Sequence, residues 1–289
     1  MGTQLSRPNE GWTKPIFTVI LCAGEGVRLQ ELTRNAPKPL IKINALHNKS
    51  ILHYTIDLLI SLRVNKIAIV KGYLAKKIDE FIARLKRDEA ELNSILHVVD
   101  AKGDYKLGPL YSFLSITKNE QLYHTGYIYL IIPGDTIFQY NLLNEIFSIL
   151  EDNLSVIQKK PLIFFRKIQG KSLESQNQSK KISLAYVESH KMQFFLKKIK
   201  QVNLSTISKS QTINQIIPIF IFPYNFIQKI LQIENKISVK TIREIINYLL
   251  NQGTKISVIE VDSKYKFYDI DDKFDLLELE TLEENKVGK

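Results

Sequence analysis

An α/β fold with a mixed, mainly parallel sheet flanked by helices is predicted by three observations. Apolar runs of strand length alternate with stretches of helical period through the first half of the chain. Two of those runs, FTVILCAG and YIYLIIPGD, end in small or turn-forming residues. The chain has 289 residues, 44% hydrophobic and 24% charged, enough to bury roughly three quarters of its unfolded surface, which excludes disorder as the main state.

In chain order, residues 1–15 read as a flexible polar leader, 16–280 as one domain and 281–289 as a tail. FTVILCAG is a buried strand feeding a Gly-containing turn. From Ser50 to Arg63, Leu52, Ile56, Leu59 and Ile60 share one helical face, and VNKIAIVKGY returns to a strand. AKKIDEFIARLKRDEAEL is helical, ILHVVDA strand-like, GPLYSFLSITKNE helical and YIYLIIPGDTIF a strand. The polar run QGKSLESQNQSKK marks an exposed loop at about 169–181 with no assigned structure. Three strand-like runs follow, ISLAYVES, KMQFFLKKIKQV and INQIIPIFIFP. TIREIINYLLNQG is then a helix closed by Gly253, KISVIEV a last long strand, and KFYDIDDKFDLLELETLEE an acidic opening to a final helix.

Composition narrows the chemistry. A single cysteine, Cys22, excludes an intrachain disulfide and a multi-thiolate zinc site, and fits a reducing compartment. Apolar stretches fall short of the roughly 18 residues needed to cross a bilayer, so a cytoplasmic protein without a membrane partner is expected. Lys and Arg exceed Asp and Glu by 40 to 30, a net +10. The lysines are spread along the chain, without the aromatic-interleaved basic stripe of a nucleic-acid binder. The five histidines lack metal-ligand spacing, no Gly-x-Ser-x-Gly elbow occurs, and Cys22 lies too deep in a strand to serve as a nucleophile.

Three signals carry chemistry. Gly24-Glu25-Gly26-Val27-Arg28 follows the first strand, and Lys38 stands between two prolines. Glycines there let backbone N–H groups approach phosphate oxygens, and Arg28 with Lys38 supplies countercharge. Neither the dinucleotide fingerprint nor the Walker A loop fits, and a basic Gly-rich turn is the plain alternative. Asp135 sits at the carboxyl end of a central strand, where α/β sheets bind ligands and a carboxylate can take Mg²⁺. In Tyr268-Asp269-Ile270-Asp271-Asp272, strand alternation sends Asp269 and Asp271 to one face, as a cation site would need, while Asp271 or Asp272 could equally cap the next helix.

Together, TVILCAGEGVRLQELTRNAPKPLIKI resembles the signature LxAGxGxRLxPLTxxxPKPLxxI of the sugar-phosphate nucleotidyltransferases. The likeness continues through IVKGYLAKKIDEFI, LGPLYSFL, IIPGDTIF and KFYDIDDKFDLLE. The family embraces uridylyl-, thymidylyl- and guanylyltransferases for sugar 1-phosphates and phosphocholine-type cytidylyltransferases. The resemblance implies a Rossmann-like fold and transfer of a nucleotidyl group from a nucleoside triphosphate to a phosphorylated small molecule, with release of pyrophosphate. It implies Arg28 and Lys38 as catalytic cations, Asp135 and Asp271 as Mg²⁺ ligands with Asp269 as an alternate, and backbone at Leu21, Ala23, Gly24, Gly26 and Gly108 around the nucleotide. Lys197 or Lys198 stands roughly where an acceptor-binding lysine would be.

The departures lie on the specificity side. Val27 replaces a hydroxyl residue, Glu31 a proline, and Pro218 a glycine that often backs the sugar. Leu110 and Tyr111 stand where small residues line the base pocket, so the bulk of Tyr111 would favour a pyrimidine. A sugar 1-phosphate is the default acceptor, leading to nucleotide sugars for surface polysaccharide. The alternatives are a CTP-dependent enzyme acting on a small non-sugar phosphate and a non-catalytic regulatory relative. A homo-oligomer stays open.

Overall fold

The structure is a computed structural model that describes residues 16–174, 176–190 and 193–279. The leader at 1–15 and the tail at 281–289 lie outside these residues, and the side chain of Glu31 lies outside those described. The first half runs β1 (Ile16–Cys22), β2 (Lys42–Ile43), β3 (Lys49–Ser50), α1 (Ile51–Ser61), β4 (Ile67–Lys71), α2 (Ala75–Asp88), α3 (Leu92–Ile95), β5 (Leu96–Asp100), α4 (Pro109–Leu114), β6 (Ile128–Pro133), β7 (Thr136–Phe138), α5 (Tyr140–Asp152) and α6 (Leu154–Ile157). The second half runs β8 (Leu162–Gln169), β9 (Lys181–His190), β10 (Gln193–Asn203), β11 (Thr212–Pro223), α7 (Tyr224–Leu231), α8 (Ile242–Asn251), β12 (Ser257–Glu260) and β13 (Phe267–Asp269), with a last helical run over 273–279.

Nine strands form one sheet in the order β5-β4-β1-β6-β11-β8-β12-β10-β9. The β5-β4-β1-β6 part is parallel, because a helix intervenes between its successive strands. Beyond β6 the pairing turns mixed: β11 is antiparallel to both neighbours, β12 runs parallel to β8, and β10 is antiparallel to β12 and β9. The parallel character read from the sequence therefore holds for the first half. The runs that became β9, β10 and β11 follow one another with no α-helix between them. Leu184 of β9 also meets Gln215 of β11, so the far end of the sheet curls back on itself.

Alternation along β1 divides the core. Ile16, Ile20 and Cys22 pack with Leu52, Ile56 and Leu59 of α1 and with α2 and α5, while Phe17 and Val19 pack with Phe113 of α4, Phe226 of α7 and Ile245 of α8. Being covered on both faces explains why IFTVILC is almost wholly apolar. Helix α4 ends early: Ser115 and Thr117 hydroxyls donate to the carbonyls of Ser112 and Leu114 at 2.7 Å, and the chain tightens into a 3₁₀ turn over Ser115–Lys118. In β11 the register slips between Ile217 and Phe220, around Pro218, which has no N–H to give a ladder. Among the described residues, no helix is long and apolar enough to cross a membrane.

The loop at 169–181 is more ordered than its composition predicts. It holds a 3₁₀ turn at Gly170–Leu173, and Leu173 is buried with Ile168, Ile182 and Leu204.

Among the described residues, one buried side-chain polar atom lacks a partner. Thr18 is fully buried in β1, and its Oγ1 makes no hydrogen bond among the described residues. Thr18→Val removes that penalty at nearly constant shape, so urea unfolding should show a gain of about 1 kcal/mol. A loss of stability would mean that the hydroxyl is satisfied in solution.

Candidate active site

The carboxyl ends of β1 and β6 open into a cavity of about 360 Å³. Its lining includes Leu21, Ala23, Gly24 and Gly26 after β1, Lys38 and Asp135, and an apolar wall from Tyr105, Pro109, Ile131 and Phe220. An apolar cleft of this size with a few convergent charges, at the end of a parallel sheet, is where small ligands bind.

Local backbone chemistry brings the charges together. Gly26 has φ +63°, and a Cβ there would come within 3.0 Å of Thr33 and 3.2 Å of Lys38, so glycine lets the loop fold over the lysine. Pro37 and Pro39 bracket Lys38, which opens a 3₁₀ turn over Lys38–Leu40. Gly134 donates its N–H to the Leu21 carbonyl at 2.9 Å, and a Cβ on it would lie 2.6 Å from Cys22 Sγ. That close crossing delivers Asp135 to the mouth of the cavity.

Lys38 Nζ donates to Asp135 Oδ2 at 2.6 Å and to Asp271 Oδ1 at 3.4 Å, while Arg28 Nη1 stands 3.1 Å from Asp271 Oδ2. The lysine side chain is 8% exposed, while Asp135 and Asp271 are 37% and 32% exposed; Lys38 and Asp135 line the cavity, and Asp271 joins them through the ammonium. Burial works against the charge on Lys38. The two carboxylates more than offset it and hold the ammonium above the ordinary lysine range. Burial, with the Asp135 charge behind it, pushes the Cys22 thiol well up, in keeping with an inert core cysteine.

Four of the charged residues singled out in the sequence thus meet at one place: Arg28, Lys38, Asp135 and Asp271. Others do not. β13 ends at Asp269, so strand alternation does not govern Asp271. Asp269 instead accepts from Thr136 Oγ1 at 2.6 Å, across the β13–β7 pair. Asp272 is the helix cap, accepting from the Phe274 and Asp275 amides at 2.9 and 3.2 Å.

Gly108 does not line the cavity. It has φ +125°, and a Cβ would strike the Lys240 carbonyl, so it presses the start of α4 against the start of α8 and leaves Pro109 as the wall. Leu110 is core, and Tyr111 turns to the Glu234 carbonyl at 3.4 Å. Tyr111 therefore adds no bulk to the cavity wall, contrary to the expectation that it would favour a pyrimidine. Lys197 and Lys198 are outside the cleft as well. Both lie at the bulge of β10, beyond β8 and β12 in the sheet, and Lys197 pairs with Glu188 of β9 at 2.8 Å. Residues that sequence reasoning missed are Tyr105, Ser112, Phe220, Thr241 and Arg243. Only Thr241 carried a local signal, its capping box with Glu244.

Two hard carboxylates converge here, and among the described residues no group of three or more His, Cys, Asp or Glu is arranged to hold a metal. That donor set suits an ion such as Mg²⁺, which takes one or two carboxylates and fills its octahedron with phosphate oxygens and water.

Residues 17–157 match the family model described as Nucleotidyl transferase. The choline-phosphate cytidylyltransferase of Streptococcus pneumoniae is 39% identical over 61 residues, 21% of this chain and 25% of its own. The CTP:phosphoglutamine cytidylyltransferase of Campylobacter jejuni is 36% identical over 76 residues, 26% of this chain and 29% of its own. The matched segments span less than a third of either relative. A solved structure of UDP-glucose pyrophosphorylase complexed with UDP-glucose superimposes with a TM-score of 0.66 over 94% of this chain and 99% of its own, at 14% identity, a likeness of fold.

The environment of Asp269 gives a pH test. Burial raises its carboxyl to about 6; Thr136 and Lys180 pull it down, and Asp135 and Asp271 add to the rise. The folded state then holds this proton more tightly than the unfolded chain, so the group favours folding as pH falls through about 6 and opposes it above. Asp269→Asn keeps the acceptor for Thr136 without the charge. In chelator it should melt higher than the parent at pH 7.5, with the gap closing towards pH 5. A constant gap would show that Asp269 titrates normally.

Proposed function

Residues 17–157 match the nucleotidyl transferase family model, and from that premise we propose that the protein transfers a nucleotidyl group from a nucleoside triphosphate to a small phosphorylated acceptor, releasing pyrophosphate. The observation that carries this reading is the shared ammonium of Lys38 between Asp135 and Asp271, with Arg28 beside it, at the mouth of the cleft. Asp135 and Asp271 would hold Mg²⁺, which when bound would supply countercharge to the phosphates. Lys38 would then release its carboxylate partners and turn its ammonium to the phosphate on which charge gathers. Arg28, 67% exposed, is free to swing from Asp271 to the triphosphate. No general base is needed, because the attacking phosphate oxygen is already ionised; in-line positioning and charge stabilisation suffice.

For the acceptor, a small non-sugar phosphate with CTP as donor is the better-supported choice. Both relatives named above are cytidylyltransferases, one for choline phosphate and one for phosphoglutamine. The lysines that would have served a sugar, Lys197 and Lys198, lie on β10 and do not line the cleft. A sugar 1-phosphate is the competing arm. The test is a pyrophosphate-release screen of CTP, UTP, ATP and GTP, with Mg²⁺, against phosphocholine, amide phosphates and hexose 1-phosphates. Release with CTP and a non-sugar acceptor is expected; release only with a hexose 1-phosphate would reverse the choice, and none with any pair would overturn the activity.

Two sets of variants probe the machinery. Asp135→Asn and Asp271→Asn should each abolish turnover while the protein stays folded by circular dichroism, since each removes charge from the cleft and not from the core. Arg28→Ala should lower kcat at saturating nucleotide by about 10²–10³-fold, or about 3–4 kcal/mol. An unchanged kcat with a raised KM would make Arg28 a ground-state binder.

A further inference from the structure

Asp271 reaches the cleft from a short segment with no regular structure of its own, between the end of β13 and the helical run over 273–279. What fixes it lies on the side away from the cavity. Asp275 Oδ2 accepts from the amides of Asp271 and Asp272 at 2.6 and 3.0 Å. Its other oxygen, Oδ1, takes a hydrogen bond from Lys180 Nζ at 2.6 Å, and the same ammonium donates to the Asp269 carbonyl at 2.8 Å. Lys180 thus grips the acidic segment at two points on either side of Asp271.

The grip is anchored. The Lys180 carbonyl accepts from the Leu204 amide at 2.9 Å, its amide donates to the Asn177 carbonyl at 2.9 Å, and Asn177 Nδ2 donates to Asp272 Oδ2 at 2.9 Å. The pair is also buried, the side chains of Lys180 and Asp275 being 12% and 6% exposed. Capping the helical run requires only the reciprocal bonds of Asp272 and Asp275. A lysine drawn into the same place carries a desolvation cost that stability alone does not repay, since a buried ion pair is weak evidence of stabilisation. Its return is geometric.

We propose that Lys180 is a positioning residue that, through Asp275, sets the backbone of Asp271 so that its carboxylate meets Lys38 and Arg28. The inference rests on the nucleotidyl-transfer reading for its kinetic consequence and on the structure alone for its physical one. Losing such an outer support costs about 10–100-fold in activity where the ligand itself is retained.

The test compares the full-length parent, Lys180→Met and Lys180→Arg. Amide hydrogen exchange at Asp271 and Asp272, in chelator and without substrate, should speed up in Lys180→Met and return towards the parent in Lys180→Arg. In the pyrophosphate-release assay, Lys180→Met should lose about 10–100-fold in kcat with little change in acceptor KM, and Lys180→Arg should recover most of it. Lys180→Gln, which keeps a donor without the charge, replaces Lys180→Met if that variant does not fold. Unchanged exchange at Asp271, parental kcat in the neutral variant, or a loss confined to KM would overturn the assignment. If the parent releases no pyrophosphate with any substrate pair, the activity reading falls and exchange at Asp271 alone decides the positioning role.

Discussion

A lysine ammonium withdrawn from water must be matched by charge, and this requirement organises the cleft. Lys38 is buried and shared by Asp135, 97 residues away, and Asp271, 233 residues away. Losing both carboxylates would leave that buried charge unpaired, which a folded protein does not tolerate cheaply. Three remote segments are therefore obliged to converge. Gly26 folds its loop over the lysine, the flanking prolines hold the turn that presents it, and Gly134 brings the end of β6 against β1. The Ile270 amide then donates to the Asp135 carbonyl at 3.1 Å, tying the two acidic segments together by main chain as well as by the ammonium.

The match to the nucleotidyl transferase family ends at residue 157, but the cleft does not. Phe220 on β11, Thr241 and Arg243 at the start of α8, and Asp271 all come from the second half of the chain. The first half supplies the loop, the lysine, one carboxylate and most of the wall, and the second supplies the other carboxylate and closes the cleft with Phe220, Thr241 and Arg243.

What could be read in the sequence was local. The alternation of apolar runs and helical stretches gave the layered architecture because each element's periodicity reflects the faces it buries. Lys38 and Asp135 were legible because prolines, glycines and strand ends mark them. What was not legible was mostly non-local. Gly108 and Tyr111 were assigned by their place in a turn, but the fit of that turn against Lys240 and Glu234 decides where they point. Lys197 and Lys198 were assigned by order along the chain, which a four-strand displacement across the sheet from β6 defeats. The polar loop at 169–181 looked featureless, yet it delivers Lys180, because a buried ion pair with Asp275 leaves no periodic trace.

The same long reach has a consequence in time. At a synthesis rate of about 5–20 residues per second, Asp271 emerges on the order of tens of seconds after Lys38. Until then β1, β4 and β6 have all been made, and the ammonium has only Asp135 to share. A nascent chain therefore carries an unfinished cleft, with a cation paired once and the support from Asp275 still inside the ribosome. The pairing of Lys38 is completed only once Asp271 and Asp275 have been made, so a chain cut short before them can assemble much of the sheet and still lack the second carboxylate.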